Sequence, residues 1–484
     1  MLLNLDCHSS TPLYRQIHDQ ISVLIDGGQL LPDQQLPPTR TLAQRLGVNR
    51  STVVRAYSEL AAAGYVASLS GSSVRVRQRL PFANRTAAAG WLQAGSPPSV
   101  AADSGGALPF DLATLAPDPR LAPVAEWRRA LAQVLARRGA ELLGYGEPQG
   151  DLRLRQWLAD YLRRHRIDID AEQLLLTNGA QQALDLILRW RIRPGDRVVV
   201  ESPTYAQLLP LLAAVGADVV AVPMTVEGMD LARLSTVLAE RKPVLVCTMP
   251  SFHNPTGITT SQSHRERLLA LCDAAQVMVV EDGFVEEMKY AGPAVPPLKA
   301  LDQHQSVVYV GTLSKVMGPG LRIGYVAAHP AVIHALTELS QQTSLGGAPL
   351  LQAAAWQFCR NGWFAAYLQR LHRHYRRRLQ TLLRLLDAAA LPGVCYQRPS
   401  GGYLLWLTLP NSKKSEDELV DALASAGVAV RGGRRFYPEP PATVALRLSI
   451  ARLDEGQITT AAAILVSVLR QSLALSGELT YEHP

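Results

Sequence analysis

The sequence predicts a two-part α/β chain: an N-terminal winged helix-turn-helix, then a large α/β domain with a mainly parallel sheet and a smaller α+β region. Two observations carry this. Residues 13–64 place apolar residues at helical spacing around a glycine turn and lead into two short alternating stretches, whereas from residue 109 onward β-like apolar runs alternate with amphipathic helices. Between Leu80 and Leu108 the chain turns to Ala, Gly, Ser and Pro without a sustained period and reads as a flexible linker. With 484 residues and 48% hydrophobic content, disorder of the whole chain is excluded. The net charge of +7 permits contact with phosphates but discriminates weakly.

In the first part, helical spacing runs from Leu13 to Leu24, and PPTR at 37–40 introduces a second short helix, TLAQRLG. Gly47 supplies a turn. Asn49-Arg50-Ser51-Thr52 then starts a third helix, in which Val53, Tyr57 and Leu60 face inward and the polar start faces out. After Gly64 the run YVASLSGSSVRVR alternates as two strands about a turn at Gly71, the form of a wing. A polar helix start beside a wing implies double-stranded DNA as partner. The segment resembles the winged helix of GntR-type regulators, most closely at LAQRLGVNRSTVVRAYSELAAAGYV. The resemblance implies that Arg40, Arg50, Ser51 and Thr52 meet an operator, with the wing at Gly71 on the minor groove or backbone. Arg45 and Arg55 are expected in structural or phosphate-facing roles. Where the family's wing often reads GSGTYV, this chain has GSSVRV.

In the second part, DRVVVES at 196–202, PVLVCTMP at 243–250, VMVVEDG at 277–283 and SVVYVGT at 306–312 read as strands of a predominantly parallel sheet. Polar motifs fall at their ends. Asn178-Gly179-Ala180-Gln181 follows LLLT and opens a helix, so its N–H groups suit a phosphate. Tyr205 lies in ESPTY, Asn254 in HNPTG, Asp282 at the end of VMVVED, Lys315 in GTLSK, Arg322 in PGLRIGY and Arg447 in ALRLSIA. A Schiff-base lysine, a buried carboxylate for a protonated pyridine nitrogen, a flat partner for the ring and a phosphate cup are what pyridoxal 5′-phosphate needs. Lys315 takes the first role, Asp282 the second and Tyr205 the third. Asn254 is expected to donate to the cofactor's 3′-oxygen. Gly179, Ala180, Gln181, Thr312 and Arg322 are expected at the phosphate, and Arg447 at a carboxylate of the effector.

The order and spacing of these motifs over residues 109–475 resemble fold-type I aminotransferases. With the winged helix in front, the match is the MocR subgroup of GntR regulators. The composition shift between Leu80 and Leu108 divides the chain into 1–79, 80–108 and 109–484, and the resemblance implies a homodimer with composite sites. In LGYGEPQGDLRLR, Tyr145 matches a tyrosine that reaches the neighbouring subunit's phosphate, the alternative being a packing tyrosine. One position departs from the pattern. The family commonly has a tyrosine two residues after the aspartate, donating to the 3′-oxygen, and this chain has Phe284. Cofactor binding should survive that change, while efficient transamination is placed in doubt.

Together the halves point to a transcription regulator in which an amino compound, or the cofactor itself, acts at Lys315 to control operator binding. The rival expectation is an active aminotransferase with an accessory DNA-binding domain, and the third is an empty structural core. The run Arg370, Arg373, Arg376, Arg377 and Arg378 is either a solvated helix face or a supplementary DNA contact. MLLNLDCHSS has no secretory pattern, and the apolar run 208–223 is interrupted by Gly216 and Asp218, so a cytoplasmic protein without membrane contact is expected. Five scattered cysteines without metal-ligand spacing read as free, mostly buried thiols.

Overall fold

The computed structural model describes residues 3–7, 9–69, 73–77 and 108–473, and the chain divides into two compact units, Met1–Ser99 and Val100–Pro484. The wing turn at Gly71, the boundary at Arg79 and nearly all of the linker expected at 80–108 lie outside the described residues.

The first unit contains helices Leu13–Asp26, Thr39–Leu46 and Arg50–Ala62, and a sheet whose central strand, Ser73–Val76, pairs with Gln35–Leu36 and Val66–Leu69. Gly47 ends the second helix at φ 67°, in the left-handed region that a glycine enters without steric cost. Asn49 starts the third: its Oδ1 accepts from Ser51 N at 3.0 Å and from Ser51 Oγ at 2.9 Å. Ile17, Ile21, Val53, Ala56 and Leu60 are fully buried, so one stripe of each long helix builds the core.

The second unit is organised by an eight-stranded sheet in the order Leu174–Thr177, Gly324–Ala327, Val307–Thr312, Met278–Gly283, Leu245–Thr248, Arg197–Ser202, Asp218–Thr225, Gly228–Met229. The five strands from Val307–Thr312 to Asp218–Thr225 are parallel. Gly324–Ala327 is antiparallel to both neighbours, a placement that the motif order does not reveal. Helices Ala180–Arg191 and Pro330–Ser344 cover one face, and Leu231–Arg241 and Gln262–Ala274 the other. Burial on both faces explains why the central strands read as continuous Val and Leu runs.

Helix Trp363–Ala389 leads to a three-stranded sheet with Val444–Ser449 between Leu404–Leu409 and Arg431–Gly432. Helices Glu416–Ser425 and Glu455–Ser472 pack in the same core, each opened by a reciprocal capping box, Ser415 with Glu418 and Asp454 with Gln457. Among the described residues, no helix is long and apolar enough to cross a membrane. All five cysteines are free; Cys247, Cys272 and Cys359 are buried, and Cys7 and Cys395 are exposed.

Candidate cofactor site and DNA-recognition helix

Lys315 lies on the short helix Ser314–Met317 that follows strand Val307–Thr312. Its Nζ donates to Leu115 O at 3.0 Å and stands 5.9 Å from the centre of the Phe284 ring. Tyr403 Oη fastens the backbone by donating to Lys315 O at 2.9 Å. Asp282 borders a cavity lined also by Leu184, Glu201, Tyr205, Cys247 and Thr248. Asp282 is half-buried as a residue, yet burial pushes its carboxyl up to about 7, with the Glu201 charge adding to the rise and Lys315 opposing it.

Glu201 was not anticipated as a site residue. It is 2% exposed and accepts from Thr248 Oγ1 at 2.7 Å and Met249 N at 3.0 Å, with His253 Nε2 3.1 Å away. The available signal was a carboxylate closing the apolar run VVVES. Its proximity to Asp282 depends on strand order, because Leu245–Thr248 lies between their strands.

Across the site, Asn254 is buried; its Oδ1 accepts from Arg447 Nη1 at 3.2 Å, while its Nδ2 has no hydrogen-bond partner among the described residues. Arg447, 2% exposed, also donates from Nη2 to Ala113 O at 2.8 Å, and its guanidinium lies 5.1 Å from the Phe436 ring centre. Tyr205 Oη donates to Gln181 Oε1 at 3.2 Å, tying the ESPTY segment to the start of helix Ala180–Arg191.

At that helix start, Gly179 has φ 85°, and a Cβ there would stand 2.7 Å from Arg322 Nη2. The same Nη2 donates to Asn178 O at 2.6 Å. Thr312 Oγ1 donates to Ile323 O at 3.2 Å and accepts from Ser314 N at 3.1 Å, holding the lysine turn. Gly324, paired with Thr312, carries this turn against Gly179: a Cβ on Gly324 would lie 2.5 Å from Gly179 C. Tyr145 stands apart on the surface, 87% exposed.

These residues fit pyridoxal 5′-phosphate. Asn254 Nδ2 is a buried donor lacking a partner within the protein, Gly179 leaves room beside Arg322 that a side chain would fill, and Asp282 is a carboxylate whose charge burial disfavours until a cation faces it. Helix Ala180–Arg191 opens without a side-chain cap, as an anion-binding start requires. Phe284, 6% exposed, offers the site no donor. No cluster suited to a metal ion occurs among the described residues.

In the first unit, Arg40, Arg50 and Ser51 are exposed, and Thr52 is half-buried at the start of the third helix. Arg55 is otherwise engaged: its guanidinium lies 3.8 Å from the Tyr14 ring centre, and its Nε lies 3.5 Å from Glu59. Arg45 is exposed in the last turn of the second helix.

Comparison with known proteins agrees with both halves. Residues 13–76 match the family of bacterial regulatory proteins, gntR family, and residues 115–465 match aminotransferase class I and II. Over 94% of its length the chain is 30% identical to the probable rhizopine catabolism regulatory protein MocR of Rhizobium meliloti, covering 93% of that protein. It is 33% identical to aromatic-amino-acid aminotransferase 1 of Thermococcus litoralis, over 74% of this chain and 87% of the relative. The crystal structure of LysN, an alpha-aminoadipate aminotransferase from Thermus thermophilus complexed with N-(5′-phosphopyridoxyl)-L-leucine, superposes with a TM-score of 0.71 at 32% identity, covering 75% of this chain and 92% of that one. The chain therefore belongs to the MocR-type transcription regulators, a gntR-family DNA-binding module fused to a pyridoxal-phosphate-dependent class I and II aminotransferase domain.

Proposed function

We propose that a small amine carrying a carboxylate is the signal this regulator reads, and that its capture at Lys315 and Arg447 changes operator affinity. The observation that carries this reading is the 3.2 Å bond from Arg447 to Asn254, which puts a carboxylate-gripping guanidinium against a residue suited to the cofactor's 3′-oxygen. When bound, pyridoxal phosphate supplies an electrophilic carbon and an electron-withdrawing ring.

Lys315 would bond to it and afterwards hold a proton at Nζ, and Asp282 would keep the ring nitrogen protonated. Asn254 would donate to the 3′-oxygen, and Tyr205 would lie on the ring. Gly179, Ala180, Gln181, Thr312 and Arg322 would hold the phosphate, and Tyr145 would reach the phosphate of a second subunit in a homodimer. Lacking a hydroxyl, Phe284 favours retention of the amine over its turnover. Arg40, Arg50, Ser51 and Thr52, with the wing at Gly71, would meet the operator. The division into 1–79, 80–108 and 109–484 would leave a linker to pass the change on, in the cytoplasm where the DNA is.

The test is a titration of amino acids and related amines into the cofactor-loaded protein, recording the visible band and operator affinity together. A band that shifts and holds, with operator affinity changing about 5- to 150-fold, is expected. Conversion to the pyridoxamine form, reversed by a keto acid, would establish an active aminotransferase instead. Affinity that follows cofactor addition alone would make the cofactor the signal. Lys315→Ala should lose both the covalent band and the response.

A further inference from the structure

A second cavity opens between the end of helix Leu152–Arg164, the segment 286–297 and helix Trp363–Ala389, and it shares no lining residue with the cavity at Asp282. We infer that it binds a small zwitterion, with the ammonium held by Glu286 and Glu287 and the carboxylate by Arg164, Arg166 and Lys289. This goes beyond the proposed role of Lys315.

The charges lining the cavity are matched only in part: Arg265 and His165 both feel the Glu286 charge, whereas the neighbour acting on Glu287 is the like charge of Glu286. Glu287 is 9% exposed, and its Oε2 has no hydrogen-bond partner among the described residues; burial pushes the carboxyl up to about 8. Tyr161 is 8% exposed, and its Oη also lacks a hydrogen-bond partner among the described residues. Glu286 is held in place by Ser251 Oγ at 3.1 Å and Tyr309 Oη at 3.0 Å, neither of them a cation. Arg265 also lines the cavity and feels the Glu286 charge, but its guanidinium donates to Thr260 Oγ1, Pro296 O, Pro250 O and Ser251 Oγ and, among the described residues, to no carboxylate oxygen.

Arg164, Arg166 and Lys289 also line the cavity and form no ion pair among the described residues; the two arginines are exposed and Lys289 is half-buried. Burial, with the Arg265 charge adding to it, holds the Lys289 ammonium below its ordinary range. An anion would give Glu287 no partner and a simple cation would use none of the basic groups, which water alone solvates at the two exposed arginines. A molecule carrying both charges answers both sets.

The segment that holds these acids is tied to the rest of the unit on both sides. Gly402 N donates to Met288 O at 2.7 Å, Tyr290 N donates to Ser400 O at 2.9 Å, and His372 Nε2 is hydrogen-bonded to Glu287 O. Phe284, two residues before Glu286 in the chain, faces Lys315. Occupancy of the cavity would therefore bear on a residue of the cofactor site without chemistry on the ligand's nitrogen.

Isothermal titration of the full-length, cofactor-loaded protein with N,N-dimethylglycine and 4-(dimethylamino)butanoate tests the site, because their tertiary nitrogens cannot condense with an aldehyde. Saturable binding of at least one is expected, weakened about tenfold or more by Glu287→Gln and by Lys289→Ala and retained in Arg447→Ala. Arg166→Ala changes only the rim and gives the same reading should the Glu287 variant fail to fold. Binding of neither probe would overturn the inference, as would binding lost in Arg447→Ala yet indifferent to the Glu287, Lys289 and Arg166 substitutions. Either failure leaves the reading of Lys315 to be judged by its own spectral titration.

Discussion

Asp282→Asn should stabilise the cofactor-free protein at pH 8 while weakening its hold on the cofactor. Burial, reinforced by Glu201, raises the Asp282 carboxyl from 3.8 to about 7, so the folded chain keeps a proton that the unfolded chain has already released. For an acid raised on folding, the stability contribution is full below the unfolded value and is lost as pH rises through the folded one. About three units at 1.36 kcal/mol each make the cost at pH 8 roughly 4 kcal/mol at most. Asparagine does not ionise and avoids that cost. The apo variant should therefore melt above the apo parent at pH 8, with the gap narrowing as pH falls from about 7 toward 4.

Glu281 and Glu287, both raised to about 8, titrate in variant and parent alike, so the comparison is the difference between the two proteins. With cofactor present the sign reverses: losing a charge-assisted bond to the ring nitrogen costs about 1.5–3 kcal/mol, roughly 10- to 150-fold in Kd. Fluorescence-monitored melting across pH and a visible-absorbance titration of the cofactor measure the two effects. An apo variant less stable than the parent at pH 8, or a gap indifferent to pH, would refute the argument by showing the Asp282 charge already balanced within the folded chain.

Arg50→Ala should weaken operator binding about 5- to 150-fold, the worth of one base-reading arginine, and leave the visible spectrum unchanged; unaltered affinity for a specific operator would show the reading helix misplaced. Gly179→Ala combines a φ of 85° with a Cβ 2.7 Å from Arg322, so cofactor affinity should fall about tenfold or more, and a titration matching the parent would remove Gly179 from the phosphate subsite. Phe284→Tyr should lower the pH at which the cofactor's visible band titrates, because a donated hydrogen bond stabilises the 3′-oxygen anion, and should raise conversion to the pyridoxamine form. An unmoved midpoint would mean that the ring edge does not face that oxygen.

Much of the fold and several site positions were legible because their signals are local. Gly47 marks a left-handed turn, Asn49 a helix start, and the LLLT and VMVVED runs the strand ends where Gly179 and Asp282 fall. The insertion of Gly324–Ala327 as an antiparallel strand is a choice among long-range pairings, and no periodicity encodes it. The same holds for Arg447 against Asn254, 193 positions apart, and for Glu201 brought near Asp282 by the strand between them. The sequence by itself determined which residue types were available, in which local conformations, and hence the two modules and their cofactor. Only the tertiary structure decided which charges meet and which stay unanswered, from the buried Asp282 to the cavity at Glu287, because burial and Coulomb interaction depend on distance in space and not on separation along the chain.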